Sequence, residues 1–136
     1  MVEPVMSDKR LGEGMVLVID DEPYMAKATS RLLRSMGFDF QIATTGPDAV
    51  QICRARGDEI DVVLLDVVLP EMSSIETLRQ MRALRPGIKV ILMSGYGKQE
   101  SVDRFAGMEL DGFVSKPFGY SELENVVRAA LNRSNT

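Results

Sequence analysis

Residues 61–70 read DVVLLDVVLP, and this stretch decides the class of fold. Residues 62–65 are all apolar, which is typical of a central strand in a parallel sheet, since such a strand is covered on both faces. The apolar run ends at Asp66. The stretch therefore predicts a buried strand that carries a carboxylate at one edge of a sheet.

Similar runs occur on both sides of this stretch, and a helical pattern follows each of them. The segments with the pattern of strands are 15–19, 38–43, 61–66, 88–94 and 111–115. Strands that alternate with helices through short connections lie parallel and are joined by right-handed crossovers. We therefore predict an α/β fold in which helices cover both faces of a doubly wound, five-stranded parallel sheet.

The predicted helices differ in how clearly the sequence indicates where they begin and end. Gly37 follows the first helix in a position that commonly ends helices. The last helix is predicted to begin with a capping box formed by Ser121 and Glu124, because the two stand three residues apart. The fourth helix, at roughly 98–106, has the weakest apolar pattern.

Length and composition indicate one globular domain. The chain has 136 residues, of which 45% are hydrophobic and 26% are charged, close to the average for such domains. A domain of this length buries a core without disulfides or structural metal ions. We expect the domain to span residues 15–132, with a flexible tail or linker at 1–14 and a short C-terminal tail at 133–136.

Several classes of function are excluded by what the sequence lacks. The absence of histidine excludes catalytic triads, HExxH zinc sites and phosphohistidine carriers. The lone cysteine, Cys53, excludes an internal disulfide and a CxxC pair, and it favours a reducing compartment. The net charge is −4 and the basic residues are scattered, which argues against direct binding of nucleic acid. No apolar run approaches the roughly twenty residues that cross a bilayer, so we expect no membrane insertion and a cytoplasmic location.

Polar residues follow four of the predicted strands, at the edge where open parallel sheets bind ligands. They are Asp20 and Asp21 after the first strand, Asp66 at the end of the third, Ser94 after the fourth and Lys116 after the fifth. Each has an ordinary explanation, such as helix capping for the acidic pair or a turn for Asp66. Their convergence on one sheet edge favours a shared site instead.

Three carboxylates in a small volume repel one another unless a cation lies among them. Mg²⁺ suits this arrangement, because it takes carboxylates, waters and phosphate oxygens as ligands. With Mg²⁺ present, a carboxylate can attack phosphorus and form an aspartyl phosphate. Asp66 is the best candidate for this nucleophile, and Lys116 and the Ser94 hydroxyl would bind phosphoryl oxygens.

Four segments resemble, in order and spacing, the motifs of response-regulator receiver domains, the phosphoacceptor half of two-component signalling. They are VLVIDDEP at 16–23, LLDVVLPEM at 64–72, VILMSGY at 90–96 and GFVSKPF at 112–118. The resemblance runs from about residue 15 to 131. It implies the flavodoxin-like (βα)5 fold with strand order 2-1-3-4-5.

The resemblance also implies roles for individual residues. Asp66 would be phosphorylated, and Asp20, Asp21 and Asp66 would hold Mg²⁺ together with the backbone carbonyl of Val68. Ser94 would be the switch hydroxyl that moves toward the phosphoryl group.

The same resemblance implies three features in or just after the fifth strand. At one position the sequence differs from the usual receiver motif. Lys116 would pair with the phosphoryl group, Phe113 would be the aromatic switch residue, and Pro117 would follow a cis peptide. Ser74 stands where receivers usually have glycine, and a residue other than glycine restricts the backbone φ and would stiffen or re-route the loop after the third strand.

The function implied is a signalling module that takes a phosphoryl group from a histidine kinase or a histidine phosphotransfer protein. It would then switch a docking surface for a downstream protein, in trans or in an upstream domain, because few residues follow the last helix. A Mg²⁺-dependent phosphatase with an aspartyl nucleophile is one alternative, although Val68 stands where such enzymes usually have a second aspartate. A phosphorylation-independent interaction module is another. A stand-alone regulator, a receiver of a hybrid histidine kinase and a homodimer all stay open.

Overall fold

A computed structural model describes residues 14–133 of the chain. The tail predicted at 1–14 lies outside the described residues except for Gly14, and of the tail predicted at 133–136 only Arg133 is described. Gly14 is the first residue of a strand, so regular structure begins one residue before the predicted domain.

Within this part of the chain, strands and helices alternate as predicted. The strands β1 to β5 are Gly14–Ile19, Phe38–Ala43, Val62–Asp66, Val90–Ser94 and Gly112–Ser115. The helices α1 to α5 are Pro23–Ser35, Gly46–Arg56, Ser74–Leu84, Lys98–Asp103 and Tyr120–Asn132, and a 3-10 turn, Gly57–Glu59, precedes β3. All strand pairs are parallel and the sheet order is β2-β1-β3-β4-β5, which confirms the predicted fold.

The central strand β3 is buried on both faces, as its unbroken apolar run predicts. Val63 and Leu65 belong to a core that also contains Leu78 of α3 and Phe105. The alternate residues Val62 and Leu64 belong to a second core, which α1 and α5 cover. Because successive side chains of a strand point to opposite faces, these four consecutive residues anchor both layers of helices.

Two helix predictions need correction. The fourth helix, predicted at 98–106, ends at Asp103 and continues as turns, and Gly107 has a φ of 86°. The capping box predicted for Ser121 and Glu124 is wrong. The helix starts one residue before Ser121, and the N–H of Gly119 donates to the carboxylate of Glu122 at 2.7 Å.

Two local predictions are confirmed. Gly37 follows the C-cap of α1 with a φ of 97°, a conformation that favours glycine. The peptide bond between Lys116 and Pro117 is cis. Among residues 14–133, no helix combines the length and the apolar character that a bilayer crossing requires.

Candidate functional site

The predicted site residues meet at the carboxyl edge of the sheet because four parallel strands end there. Asp20 follows β1, Asp66 ends β3, Ser94 ends β4 and Lys116 follows β5. In the strand register, Asp66 lies beside Met93 and Ser94 beside Ser115, so the ends of these strands are level. Residues separated by up to 96 positions in the chain are thereby brought into contact.

Lys116 bridges the two buried carboxylates. Its ammonium nitrogen lies 2.9 Å from Oδ2 of Asp20 and 2.8 Å from Oδ2 of Asp66. Asp20 is fully buried, and its other oxygen accepts a hydrogen bond from the N–H of Glu22 at 2.9 Å. The Asp20 carboxylate is therefore held in place by groups from two separate elements of the fold.

Asp21 completes an acidic cluster at this edge. One carboxylate oxygen from each of Asp20, Asp21 and Asp66 lies within 4.8 Å of the others, and Asp21 is exposed to solvent. When ionised, three carboxylates and the Lys116 ammonium carry a charge of −3 + 1 = −2. A divalent cation balances that charge, and oxygen ligands of this kind are those that Mg²⁺ prefers.

Burial and the charge of Lys116 have opposite effects on the pKa of Asp66. Burial raises the pKa of Asp66, while the hydrogen bonds from Lys116 and the Val68 N–H oppose the rise and repulsion from Asp20 adds to it. Burial alone would lower the pKa of Lys116, but its hydrogen bonds to Asp66 and Asp20 raise that pKa overall. Lys116 therefore stays charged, and the ionised form of Asp66 gains from any further positive charge.

The loop after β3 is fastened to the same carboxylate. The N–H of Val68 donates to Oδ1 of Asp66 at 3.0 Å, so both oxygens of Asp66 have a partner. Ser74, which stands where glycine was expected, begins α3 and donates its hydroxyl to the backbone carbonyl of Asp66. This bond ties the start of α3 to the end of β3.

Ser94 ends β4 at the same edge of the sheet, but its hydroxyl forms hydrogen bonds with residues outside the acidic cluster. Its Oγ accepts a hydrogen bond from the N–H of Tyr96 at 2.8 Å and another from the hydroxyl of Ser101 at 2.8 Å. Sequence reasoning missed Ser101, which is 1% exposed and lies in α4. Since the residues of α4 are almost all polar, no apolar stripe shows which side faces the sheet.

Comparison with known proteins settles the family. The family model of the response regulator receiver domain matches residues 16–128. The chain belongs to this family. The acidic cluster of this receiver fits the phosphoacceptor site of the family.

Relatives of this receiver occur in two kinds of protein. A probable transcriptional regulatory protein, TcrX of Mycobacterium tuberculosis, is 40% identical over 88% of the chain and 50% of the relative. The sensor kinase CckA of Brucella abortus is 34% identical over 90% of the chain and 13% of the kinase. The chain thus spans half or less of the length of these relatives.

The fold of this receiver also matches solved structures. A response regulator receiver domain from Clostridium thermocellum superimposes with a TM-score of 0.81 at 26% identity, covering 89% of this chain and 96% of that one. The agreement extends to nearly the whole of the other domain.

Two further residues, the rim residues Val68 and Tyr96, stand two positions after Asp66 and Ser94, in the loops that follow β3 and β4. The side chains of Val68 and Tyr96 are exposed, at 49% and 52%, and the guanidinium of Arg104 lies 5.6 Å from the centre of the Tyr96 ring. Phe113, the predicted aromatic switch, is half-buried and packs against the core that contains Phe105.

Proposed function

We propose that this receiver domain accepts a phosphoryl group on Asp66, with Mg²⁺ held by Asp20, Asp21, Asp66 and the backbone carbonyl of Val68. The observation that carries the proposal is the Lys116 ammonium within 2.9 Å of both buried carboxylates, beside the exposed Asp21. Such a site supplies a nucleophile, a place for a metal ion and a fixed positive charge.

The reaction follows from the positions of these groups. A carboxylate oxygen of Asp66 attacks the phosphorus of a phosphohistidine, the P–N bond breaks, and the leaving imidazole keeps the bonding electrons and takes up a proton. Lys116, already within hydrogen-bond distance, binds a phosphoryl oxygen as negative charge redistributes. When bound, Mg²⁺ supplies the remaining charge compensation. Attack of water on the phosphorus then breaks the P–O bond to Asp66, releases inorganic phosphate and returns Asp66 to its carboxylate form.

The donor must lie outside this sequence, because the sequence contains no histidine. We infer that the donor is a histidine kinase or a histidine phosphotransfer protein. The similarity of this chain to a transcriptional regulatory protein and to a sensor kinase supports this inference. The domain thus acts as a signalling phosphoacceptor that catalyses its own phosphorylation and dephosphorylation. Phosphorylation would draw Ser94 toward Asp66, let Phe113 turn, and change the surface formed by α4, β5 and α5.

Intact-mass spectrometry after incubation with acetyl phosphate and Mg²⁺ tests the proposal. We expect the mass of one phosphoryl group to be added, to be absent in Asp66→Asn, and to persist in Asp39→Asn, which alters an exposed carboxylate on β2. The same gain in Asp66→Asn would mean that another residue is the nucleophile. Sustained hydrolysis of an external phosphomonoester would instead support the phosphatase alternative.

A further inference from the structure

The hydroxyl of Ser94 is engaged on the side of α4. A serine hydroxyl has one proton to donate and two lone pairs that accept. The N–H of Tyr96 and the hydroxyl of Ser101 occupy both lone pairs of Ser94, each at 2.8 Å. Among residues 14–133, the Ser94 hydroxyl forms no hydrogen bond with Asp66 or Lys116.

Ser101 is well placed to hold that arrangement. Its side chain is 1% exposed, and its backbone N–H donates to the carbonyl of Gly97 at 3.0 Å, so α4 fixes the position from which the hydroxyl points. The two serines form a buried hydroxyl pair that joins the end of β4 to α4. Water does not compete for this bond, because both side chains are buried.

We propose that Ser101 is a positioning residue that holds Ser94 in its resting orientation, away from the phosphoryl site. The proposal rests on the proposed function, in which Ser94 moves toward the phosphorylated Asp66. For that movement, the hydrogen bond from Ser101 must break, and its loss opposes the switch. Ser101 therefore sets the balance between the resting and the switched orientation of Ser94, and it links that balance directly to α4.

The size of the effect follows from the value of one hydrogen bond. A typical bond of this kind contributes about 0.5 to 1.5 kcal/mol, which corresponds to a factor of about 2 to 10 in an equilibrium constant. Removing the Ser101 hydroxyl should favour the switched orientation by this factor. A ligand that binds the switched orientation should then bind more tightly by the same factor.

Titration with beryllofluoride, a stable mimic of the phosphoryl group, in the presence of Mg²⁺ tests the proposal. We expect Ser101→Ala to bind it about 2- to 10-fold more tightly than the wild type. Ser30→Ala is the matched control, because Ser30 is also a buried helix serine and its hydroxyl has no partner among the described residues. Its affinity should stay at the wild-type value.

A double-mutant cycle separates positioning from a general effect on stability. In the Ser94→Ala background, Ser101→Ala should leave the affinity unchanged, because there is no hydroxyl left to hold. An equal gain in that background, or no gain in Ser101→Ala alone, would overturn the role of Ser101. Failure of the wild type to bind beryllofluoride, or equal binding by Asp66→Asn, would instead contradict the proposed function.

Discussion

At the scale of single residues, the acidic cluster has a cost that a metal ion removes. Asp20 is fully buried beside Asp66, and Lys116 is shared between the two carboxylates rather than assigned to one. One ammonium cannot neutralise three carboxylates. The cluster therefore stores repulsion in the folded state, and a cation that binds only the folded state stabilises it.

Mg²⁺ should raise the melting temperature of the wild type. At a concentration ten times its dissociation constant, the ion contributes about 1.4 kcal/mol, which corresponds to a rise of about 5 °C. In Asp21→Ala, most of this rise should disappear, while Asp39→Ala should keep it. Differential scanning calorimetry with Mg²⁺ and with EDTA measures both, and an equal rise in Asp21→Ala would contradict the assignment of the metal site.

The exposed side chains at the rim predict a long-lived aspartyl phosphate. The exposed Val68 side chain offers no hydrogen bond to a water molecule that approaches the phosphorus, and we expect the exposed Tyr96 side chain to shield that approach. Val68→Asn or Tyr96→Glu should shorten the lifetime about fivefold, since one hydrogen bond to the attacking water contributes about 1 kcal/mol.

Time courses of dephosphorylation after removal of the donor measure this lifetime. Leu84→Asn is a suitable control, because it changes an exposed apolar residue at the other end of α3. Decay as slow in both rim variants as in the wild type would show that these side chains do not control access of water.

Site residues differed in how far the sequence could predict them. Asp20, Asp66 and Lys116 were predictable because each stands at the end of an apolar strand, and parallel strands end at one edge. Ser101 was not predictable, because its hydrogen bond with Ser94 depends on how α4 packs on the sheet. A short polar helix leaves no trace of that packing in its sequence.

At the scale of elements, the start of α5 shows how a capping signal is misplaced. Serine at 121 followed by Glu124 has the spacing of a capping box, but so has Gly119 followed by Glu122. The structure uses the second pair, and Glu124 instead accepts a hydrogen bond from Arg128 at 3.1 Å. The two pairs overlap, so spacing alone could not choose between them.

Substitutions at the two candidate caps should therefore differ in their effect. Glu122→Ala removes the acceptor for the N–H of Gly119 and should lower the free energy of unfolding by about 1 kcal/mol. Ser121→Ala should change it by less than about 0.5 kcal/mol. Urea denaturation monitored by circular dichroism measures both, and a larger loss in Ser121→Ala would restore the original prediction.

The fourth helix is the element best suited to respond to the site. α4 has only six residues, and Ser101 is its one fully buried side chain. Few buried apolar contacts mean a low local cost of rearrangement. Phe105, in the segment after α4, is buried in the core against which Phe113 packs. A shift of α4 would therefore change the packing around Phe113.

Phosphorylation should change amide hydrogen exchange in α4, β5 and α5. The helix α2 lies away from these elements and serves as the internal control, with unchanged exchange. Mass-spectrometric exchange on the phosphorylated and unphosphorylated protein makes the comparison. Changes in exchange confined to residues 66–72 would show that phosphorylation does not alter the surface formed by α4, β5 and α5.

At the scale of the whole molecule, one strand organises both structure and site. β3 is buried along its length, lies between β1 and β4, and ends in Asp66. Its apolar run, together with the alternation of strand and helix patterns along the chain, was enough to predict the class of fold, whereas the order of the strands came from the resemblance of four motifs to receiver domains. Which polar atoms pair at the sheet edge depends on strand register and loop conformation, so it became visible only in the structure.

The central claim is that Asp66, at the end of this strand, is the residue that carries the phosphoryl group. An acyl phosphate is reduced by borohydride, which converts a phosphorylated aspartate to homoserine. After treatment with acetyl phosphate and Mg²⁺, peptide mapping should find homoserine at position 66 and aspartate at positions 20 and 21. Homoserine at either of those positions, with Asp66 unmodified, would contradict the account.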